Sequence, residues 1–323
     1  MDKIKNILKS QFDVDCTDIT KINIGLSVAT NYKIQTSDKY YFLKIYDKKK
    51  SQASLWTGNI NSYMPILIWM NENTNLKGKI VRPLKTDNGG FRFDDDEDEN
   101  VFLLFDYIYG ETIETNSFTR SQIIEAAEIM ACLHSYGSEI PIDTKKIKED
   151  FSVPFCYALE NFMANDYESL PIMYDVKTAL QPYLEQIILK NNELKLLSDT
   201  VRKKDVKMVL CHTDAHYKNF MQTKHLILVD WEGMKLAPVE ADLFMFTQKR
   251  YWDIFIEYYS KLNPKFVLDN EILYFYILRR KIEDIWAFTE SILHDNLSNE
   301  QRKRELAFLL KGCGGLEELS FEL

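Results

Sequence analysis

The chain has 323 residues, 46% of them hydrophobic, which exceeds the usual size of a single core and lies far from the composition of a disordered protein. A formal net charge of −9 disfavours general nucleic-acid binding, which depends on a basic surface, and would suit a cationic small ligand. The five cysteines (Cys16, Cys132, Cys156, Cys211 and Cys313) are scattered without a C-x-x-C pair, which argues against a disulfide framework or structural zinc site and fits a reducing compartment.

Taken in chain order, "MDKIKNILKSQF" reads as an amphipathic helix without a signal-peptide core, and no apolar run reaches the length of a membrane span. A cytoplasmic protein without membrane association is therefore expected. The segment "TKINIGLSVATNYKIQTSDKYYFLKIYD" follows as strands and turns, and "SQASLWTGNINSYMPILIWMNENTN" as mostly helix, with Gly58 and Pro65 blurring its start. "KIVRPLKTDNGGFRFDDDEDENVFLLFDYIYG" returns to strands, with "DNGG" as a hairpin turn. The acidic run Asp94 to Glu99 between two such strands reads as a solvated turn, with cation capture as the alternative.

From about Phe118 the spacing of apolar residues turns helical and stays so to about Asp199. Strand signals reappear around "VKMVLCHTDAHYKNFMQTKHLILVDWEG", and helices, including "NEILYFYILRRKIEDIWAFTESILHD", run to the C-terminus. A strand-rich quarter before a helix-rich remainder predicts an α+β fold in two lobes, not alternating βαβ units.

"CHTDAHYKNF" carries the densest chemistry. On an extended strand His212, Asp214 and His216 would share one face, as a zinc or iron tripod requires. A catalytic loop and an ordinary polar turn are the other readings. Hydrolase metal sites need further ligands, and only His134, His225 and His294 remain. As one unit, residues 207 to 232 read as a strand, a loop, a strand opening at Asn219, and a strand "LILVDWE" ending in Asp230 and Glu232. That hairpin brings Asp214, Asn219 and Asp230 to one end of the sheet. Asp214 can accept the proton of a substrate hydroxyl, while Asn219 and Asp230 offer oxygen ligands suited to Mg2+. The order matches the kinase pattern of a histidine-aspartate loop, a following asparagine and a later magnesium aspartate.

At this point the sequence resembles the aminoglycoside phosphotransferase and choline kinase superfamily, through H-T-D-A-H-Y-K-N, "LVDWE" and "LAPVEADLF" with Pro238 and Asp242. Within it, "LCHTDAHYKN", "LVDWEGMKLAPVEADLFMF" and "RRKIEDI" are most similar to spectinomycin phosphotransferases. The resemblance implies a bilobal protein-kinase-like fold: a small antiparallel-sheet, nucleotide-binding lobe over residues 1–107 and a larger, mainly helical catalytic lobe over residues 108–323. It implies an ATP-dependent, Mg2+-assisted enzyme that moves the γ-phosphate to a hydroxyl of a small, cationic molecule, an aminoglycoside or aminocyclitol first. Choline-like amino alcohols, methylthioribose or homoserine stay open as acceptors, as does a non-catalytic nucleotide-binding module. The chain would work as a monomer or homodimer.

Residue by residue, the resemblance implies that His212 buttresses the magnesium-binding segment, that His216 shapes the loop and that Asp242 fixes its backbone. A kinase also needs a phosphate-binding lysine, and "KYYFLKIYD" supplies Lys44, with Phe42 on the same strand face to pack on adenine. Leu43 and Ile45 take the other face, which the following helix is expected to cover. "INIGLSVATNY" takes the place of the nucleotide-covering loop with Gly25 as its only glycine, Ser27 and Thr30 offering donors to phosphate. Adenine would meet the Asp106 carbonyl and the Ile108 N–H, and Gly110 would let the chain turn into the second lobe. The acceptor would meet Glu232, Glu283 and Asp284, with Tyr274, Tyr276 and Trp286 as walls, although "RRKIEDIWAF" reads equally as an amphipathic helix with solvated charges. One departure stands out. No acidic residue lies between Asp47 and Glu72, so the helix after Lys44 lacks the glutamate that kinases pair with this lysine, leaving Gln52, Asn59 or Asn61 to position it.

Overall fold

A computed structural model describes residues 1–23, 28–113, 118–165, 171–247 and 249–320. The N-terminal helix α1 (Asp2–Phe12) buries Ile7, Leu8 and Phe12. Strands β1 (Asp18–Ile22), β2 (Thr30–Gln35) and β3 (Tyr40–Asp47) follow, then the short helix α2 (Ala53–Thr57) and α3 (Ile60–Asn73). β4 (Phe93–Asp95) and β5 (Asn100–Asp106) complete a five-stranded antiparallel sheet in the order β1-β2-β3-β5-β4. Leu43 is fully buried in a cluster with Ile7, Leu8, Phe12, Ile34, Phe102 and Leu104, and Ile45 packs against it. The first helix of the chain, not the one following Lys44, therefore covers this face, because α1 presents an apolar stripe at helical spacing. Phe42, Lys44 and Tyr46 point to the opposite face.

The acidic run begins in β4 with Asp94 and Asp95 and continues as a turn from Asp96 to Glu99, tied down by cations. Lys3 contacts Asp95, Glu97 and Asp98 at 2.7–3.0 Å, Lys48 contacts Asp94 and Asp96, and Lys49 contacts Glu99. The "DNGG" stretch also turns, with Gly89 at a φ of 82° that favours glycine. Beyond β5, Gly110 is required by a close approach: a Cβ there would sit 2.5 Å from the Gln222 carbonyl oxygen. β6 (Glu111–Thr112) pairs with a single later strand, and α4 (Arg120–Leu133) starts from a reciprocal cap between Thr119 and Gln122.

The chain divides into two compact units, residues 1–49, 53–148 and 208–266 in the first, and 50–52, 149–207 and 267–323 in the second. The lobe boundary expected at 107/108 falls inside the first unit. The second unit opens with α5 (Pro154–Ala164), α6 (Pro171–Leu180) and α7 (Leu184–Val201). Back in the first, β7 (Val209–Cys211), β8 (Phe220–Gln222), β9 (Leu226–Leu228) and β10 (Lys235–Ala237) form two small sheets with β6, and α8 (Glu240–Leu243) and α9 (Trp252–Leu262) follow. α10 (Asn270–His294), capped by Asp269, and α11 (Asn299–Gly314) close the second unit. Inside that unit the buried Glu149 carboxylate holds Arg279 of α10 at 3.1 Å and caps the N–H groups of Asp150 and Phe151. Among the described residues, no helix is long and apolar enough to cross a membrane.

Candidate active site

β7 delivers the loop that begins at His212. The N–H groups of His212 and Thr213 donate to the two oxygens of Asp242, at 2.8 and 2.5 Å, and Asp242 is fully buried. Asp242 also accepts from His134 Nε2 at 3.0 Å, while His134 Nδ1 accepts the Tyr259 hydroxyl at 2.7 Å. This support holds Thr213 at a φ of 68°, in the left-handed region. Thr213 in turn donates its hydroxyl to the Gly233 carbonyl at 2.7 Å, and a Cβ on Gly233 would lie 2.5 Å from that hydroxyl.

His212 links two segments. Its Nδ1 accepts the Asp214 N–H at 3.2 Å, so Nε2 carries the hydrogen and donates to the Val229 carbonyl at 2.8 Å. Burial lowers its pKa below the ordinary histidine value and keeps the ring in this neutral form. With both nitrogens occupied, His212 cannot join Asp214 and His216 in a metal tripod. His134, Cys211 and Asp242 also lie close enough to hold a metal, but the two nitrogens of His134 and both oxygens of Asp242 already make the bonds above. The Cys211 thiol points at the Ala237 and Pro238 carbonyls. The trio is a buried support beneath the loop.

Asn219 donates its amide to the Asp214 carbonyl at 2.9 Å and to Asp214 Oδ2 at 3.2 Å. The β8–β9 hairpin pairs Phe220 with Leu228, and the Val229 N–H donates to the Asn219 carbonyl at 2.9 Å, which sets Asp230 next to Asn219. The strand expected to run through Glu232 stops at Leu228. Asp230 takes a left-handed conformation at φ 72°, ψ 59° and caps a single 3-10 turn, Trp231–Gly233. That reversal turns both Asp230 and Glu232 to Lys44.

The Lys44 ammonium donates to Asp230 Oδ1 and to Glu232 Oε1, the latter at 2.5 Å, and the Tyr46 hydroxyl donates to the same Glu232 oxygen at 2.5 Å. Side-chain exposure is 11% for Lys44, 5% for Glu232 and 48% for Asp230, so the first two lie deep and Asp230 reaches solvent. Burial disfavours the Lys44 charge, yet the two carboxylates more than restore it and raise its pKa. For Asp230 the surrounding protein opposes the charge and Lys44 outweighs it, holding the carboxyl at about 2. Glu232 is pushed up by burial and by its neighbour Asp230, against the pull of Lys44.

Glu232, expected at the acceptor, thus lies on the lysine. Asn59 and Asn61, expected as alternatives to the missing helix glutamate, are exposed, and Lys44 takes its partners from the 230–232 turn instead. Phe42 is half-buried, opposite Phe105 and Lys33 in the sheet, and Thr30 sits opposite Ile45. Gly25 and Ser27 lie outside the described residues. Asp106 ends β5 with its N–H on the Arg82 carbonyl, and Ile108 follows beyond the strand. Glu283 and Asp284 belong to α10 in the second unit, paired one turn back with Arg279 and Arg280, and Tyr274 there is buried against Glu193 and Lys190. Tyr46, Gly233, His134 and Tyr259 are the supports that sequence reasoning missed. Only Tyr46 had a local signal, since the two-residue period puts it on the face of Lys44.

A family model described as the phosphotransferase enzyme family matches residues 18–269. Among solved structures, the spectinomycin phosphotransferase APH(9)-Ia in complex with ADP and spectinomycin is similar with a TM-score of 0.73 at 19% identity, over 98% of this chain and 98% of that one. Choline kinase LicA from Streptococcus pneumoniae gives 0.59 at 17% identity over 97% and 98%, and the microcompartment-associated aminopropanol kinase 0.62 at 13% over 98% and 96%. A search of the curated proteins finds no match. These structures establish an α+β protein-kinase-like fold. With the family model matching most of its length, the chain belongs to the phosphotransferase enzyme family, within the aminoglycoside phosphotransferase and choline kinase superfamily.

Proposed function

We propose that the protein is an ATP-dependent kinase of a small hydroxylated amine, with an aminoglycoside or aminocyclitol as the favoured acceptor class. The observation that carries this reading is the convergence of Lys44 on Asp230, beside an Asn219 that is bonded to Asp214. Asp214 is the proton acceptor: His212 fixes its N–H and Asn219 holds one carboxylate oxygen. Proton removal from the acceptor hydroxyl by a carboxylate so oriented is general-base work. Lys44 is the cation for the α- and β-phosphates, and the face it shares with Phe42 is the nucleotide side.

The donor set suits Mg2+. The Asn219 amide nitrogen is bound to Asp214, which leaves its Oδ1 as a neutral oxygen ligand, and Asp230 supplies a carboxylate that stays ionised far below neutral pH. The metal would neutralise charge on the β- and γ-phosphates. Most of the rate would come from positioning and electrostatics. The missing helix glutamate favours a non-catalytic module, but Glu232 on Lys44 removes that argument. The spectinomycin bound in one similar structure and the net charge of −9 both support a cationic acceptor. Single-turnover assays with ATP, Mg2+ and a panel of hydroxylated amines test the reading. Asp214→Ala should lower transfer by roughly a thousandfold while ATP binding persists; undiminished transfer would remove Asp214 from its role.

A further inference from the structure

We propose that Glu232, seated on Tyr46 and backed by Tyr63, is the positioning carboxylate of Lys44, in the place of the helix glutamate that kinases use for this purpose. The inference rests on the phosphotransferase reading of Lys44 given above. Three observations carry it. The stretch between Asp47 and Glu72, which includes α2 and most of α3, contains no acidic side chain to reach Lys44. Glu232 Oε1 takes both the Lys44 ammonium and the Tyr46 hydroxyl at 2.5 Å, so one oxygen is clamped from two positions of a single strand face. Tyr63, on α3, is 1% exposed, its hydroxyl is buried with no hydrogen-bond partner among the described residues, and the charges acting on it are those of Glu232 and Asp230. A buried hydroxyl without a partner is costly, and α3, which carries this one, packs on the 231–233 turn that holds Glu232.

The two carboxylates then divide the work by depth. Asp230, at 48% exposure, can turn to a metal, whereas Glu232, at 5%, stays with the lysine. A side chain so enclosed presents little surface to an acceptor. Lys44 is held by hydrogen bonds to a carboxylate that is itself fixed by a phenol, which limits the rotamers open to a flexible ammonium.

The pair can be tested without nucleotide. A double-mutant cycle of thermal unfolding on Glu232→Gln and Lys44→Met, in the nucleotide-free full chain, should show strong coupling; effects that simply add mean that the pair is not formed and overturn the proposal, whatever the chain does with ATP. The role is tested by kinetics. Glu232→Gln should weaken ATP binding and slow transfer by about ten- to a hundredfold, with adenosine binding and the acceptor KM unchanged. Added to Lys44→Met, it should produce no further loss. A further loss in that background, or a selective rise in acceptor KM, assigns Glu232 to the metal or the acceptor and overturns the proposal. Tyr46→Phe and Tyr63→Phe should give smaller losses in the same direction, about three- to tenfold. Absence of ATP binding by the unaltered chain would instead remove the phosphotransferase reading, leaving the unfolding cycle to decide the pair.

Discussion

Asp242 and Glu232 are both buried carboxylates near the same loop, yet they are held in opposite ways. Asp242 is filled by groups that cannot leave: two backbone N–H groups and the ring of His134, itself fixed by Tyr259. Glu232 is filled by an ammonium and a phenol at the ends of side chains. A carboxylate bonded to backbone shapes the chain when it folds and keeps that shape. One bonded to a lysine holds a charge that can exchange partners, as the proposed binding of phosphate and metal requires. The catalytic loop is therefore built, and the lysine is loaded.

The largest test of this contrast is Asp242→Asn. The amide would turn a donor toward a backbone N–H, so unfolding free energy should fall by roughly 3 kcal/mol, together with transfer activity. Glu232→Gln, which keeps one acceptor oxygen, should cost clearly less in chemical denaturation. Equal stability losses would erase the distinction between the two sites.

A second test uses pH, where His212 of the loop and Lys44 of the clamp should fail on opposite sides. His212 has a folded pKa below its unfolded value of about 6.5, so protonation favours the unfolded chain. Its contribution is complete above that unfolded value and is lost as pH falls toward the folded one. Lys44 has a raised pKa, so its contribution is complete below the unfolded lysine value and lost only at strongly alkaline pH. Asp230, held at about 2, contributes above the unfolded aspartate value and loses that as pH falls through about 2. Melting measured across pH should show an early acid-side fall that His212→Gln removes, worth about 1 kcal/mol per unit. An acid-side fall unchanged in that variant would mean that His212 is not kept neutral by folding.

The sequence was most readable where one residue type does one job at a fixed spacing. Asp214, Asn219, Asp230 and Lys44 were singled out this way, and the structure bonds Asn219 to Asp214 and Lys44 to Asp230; the support of the loop by Asp242 was legible too. What escaped depends on backbone conformation or on long-range contact. Residues 226 to 232 look like one apolar strand, and nothing local announces that Asp230 adopts a left-handed conformation, which redirects Glu232 from the acceptor to Lys44. The cover of the sheet by α1 was equally hidden, because two amphipathic helices flank those strands and pattern alone does not choose between them. His134 gave no sign of its role, since its partners Asp242 and Tyr259 are distant in sequence.

Smaller effects separate charges that work from charges that decorate. Glu283 and Asp284 sit one helical turn from Arg279 and Arg280 on α10. Glu283→Gln or Asp284→Asn should change stability by no more than about 0.5 kcal/mol. If either meets a cationic acceptor, its loss should raise the acceptor KM severalfold without touching ATP binding. A KM unchanged in both variants would leave them as ion pairs within α10.

The smallest effect belongs to the most conspicuous stretch of the sequence. Lys3, 40% exposed, bridges three carboxylates, Asp95, Glu97 and Asp98, across the acidic turn, one more than Lys44 engages. Water and salt screen such a cluster, and ordering long side chains offsets most of its attraction. Lys3→Ala should therefore lower the melting temperature only slightly at low ionic strength and not at all in high salt, while Glu232→Gln keeps its effect in both. Salt-independent destabilisation by Lys3→Ala would show that the turn is packed more like the lysine clamp than like a solvated surface. Six acids in a row then matter less than two, because what gives a carboxylate its effect is how few other partners its surroundings allow.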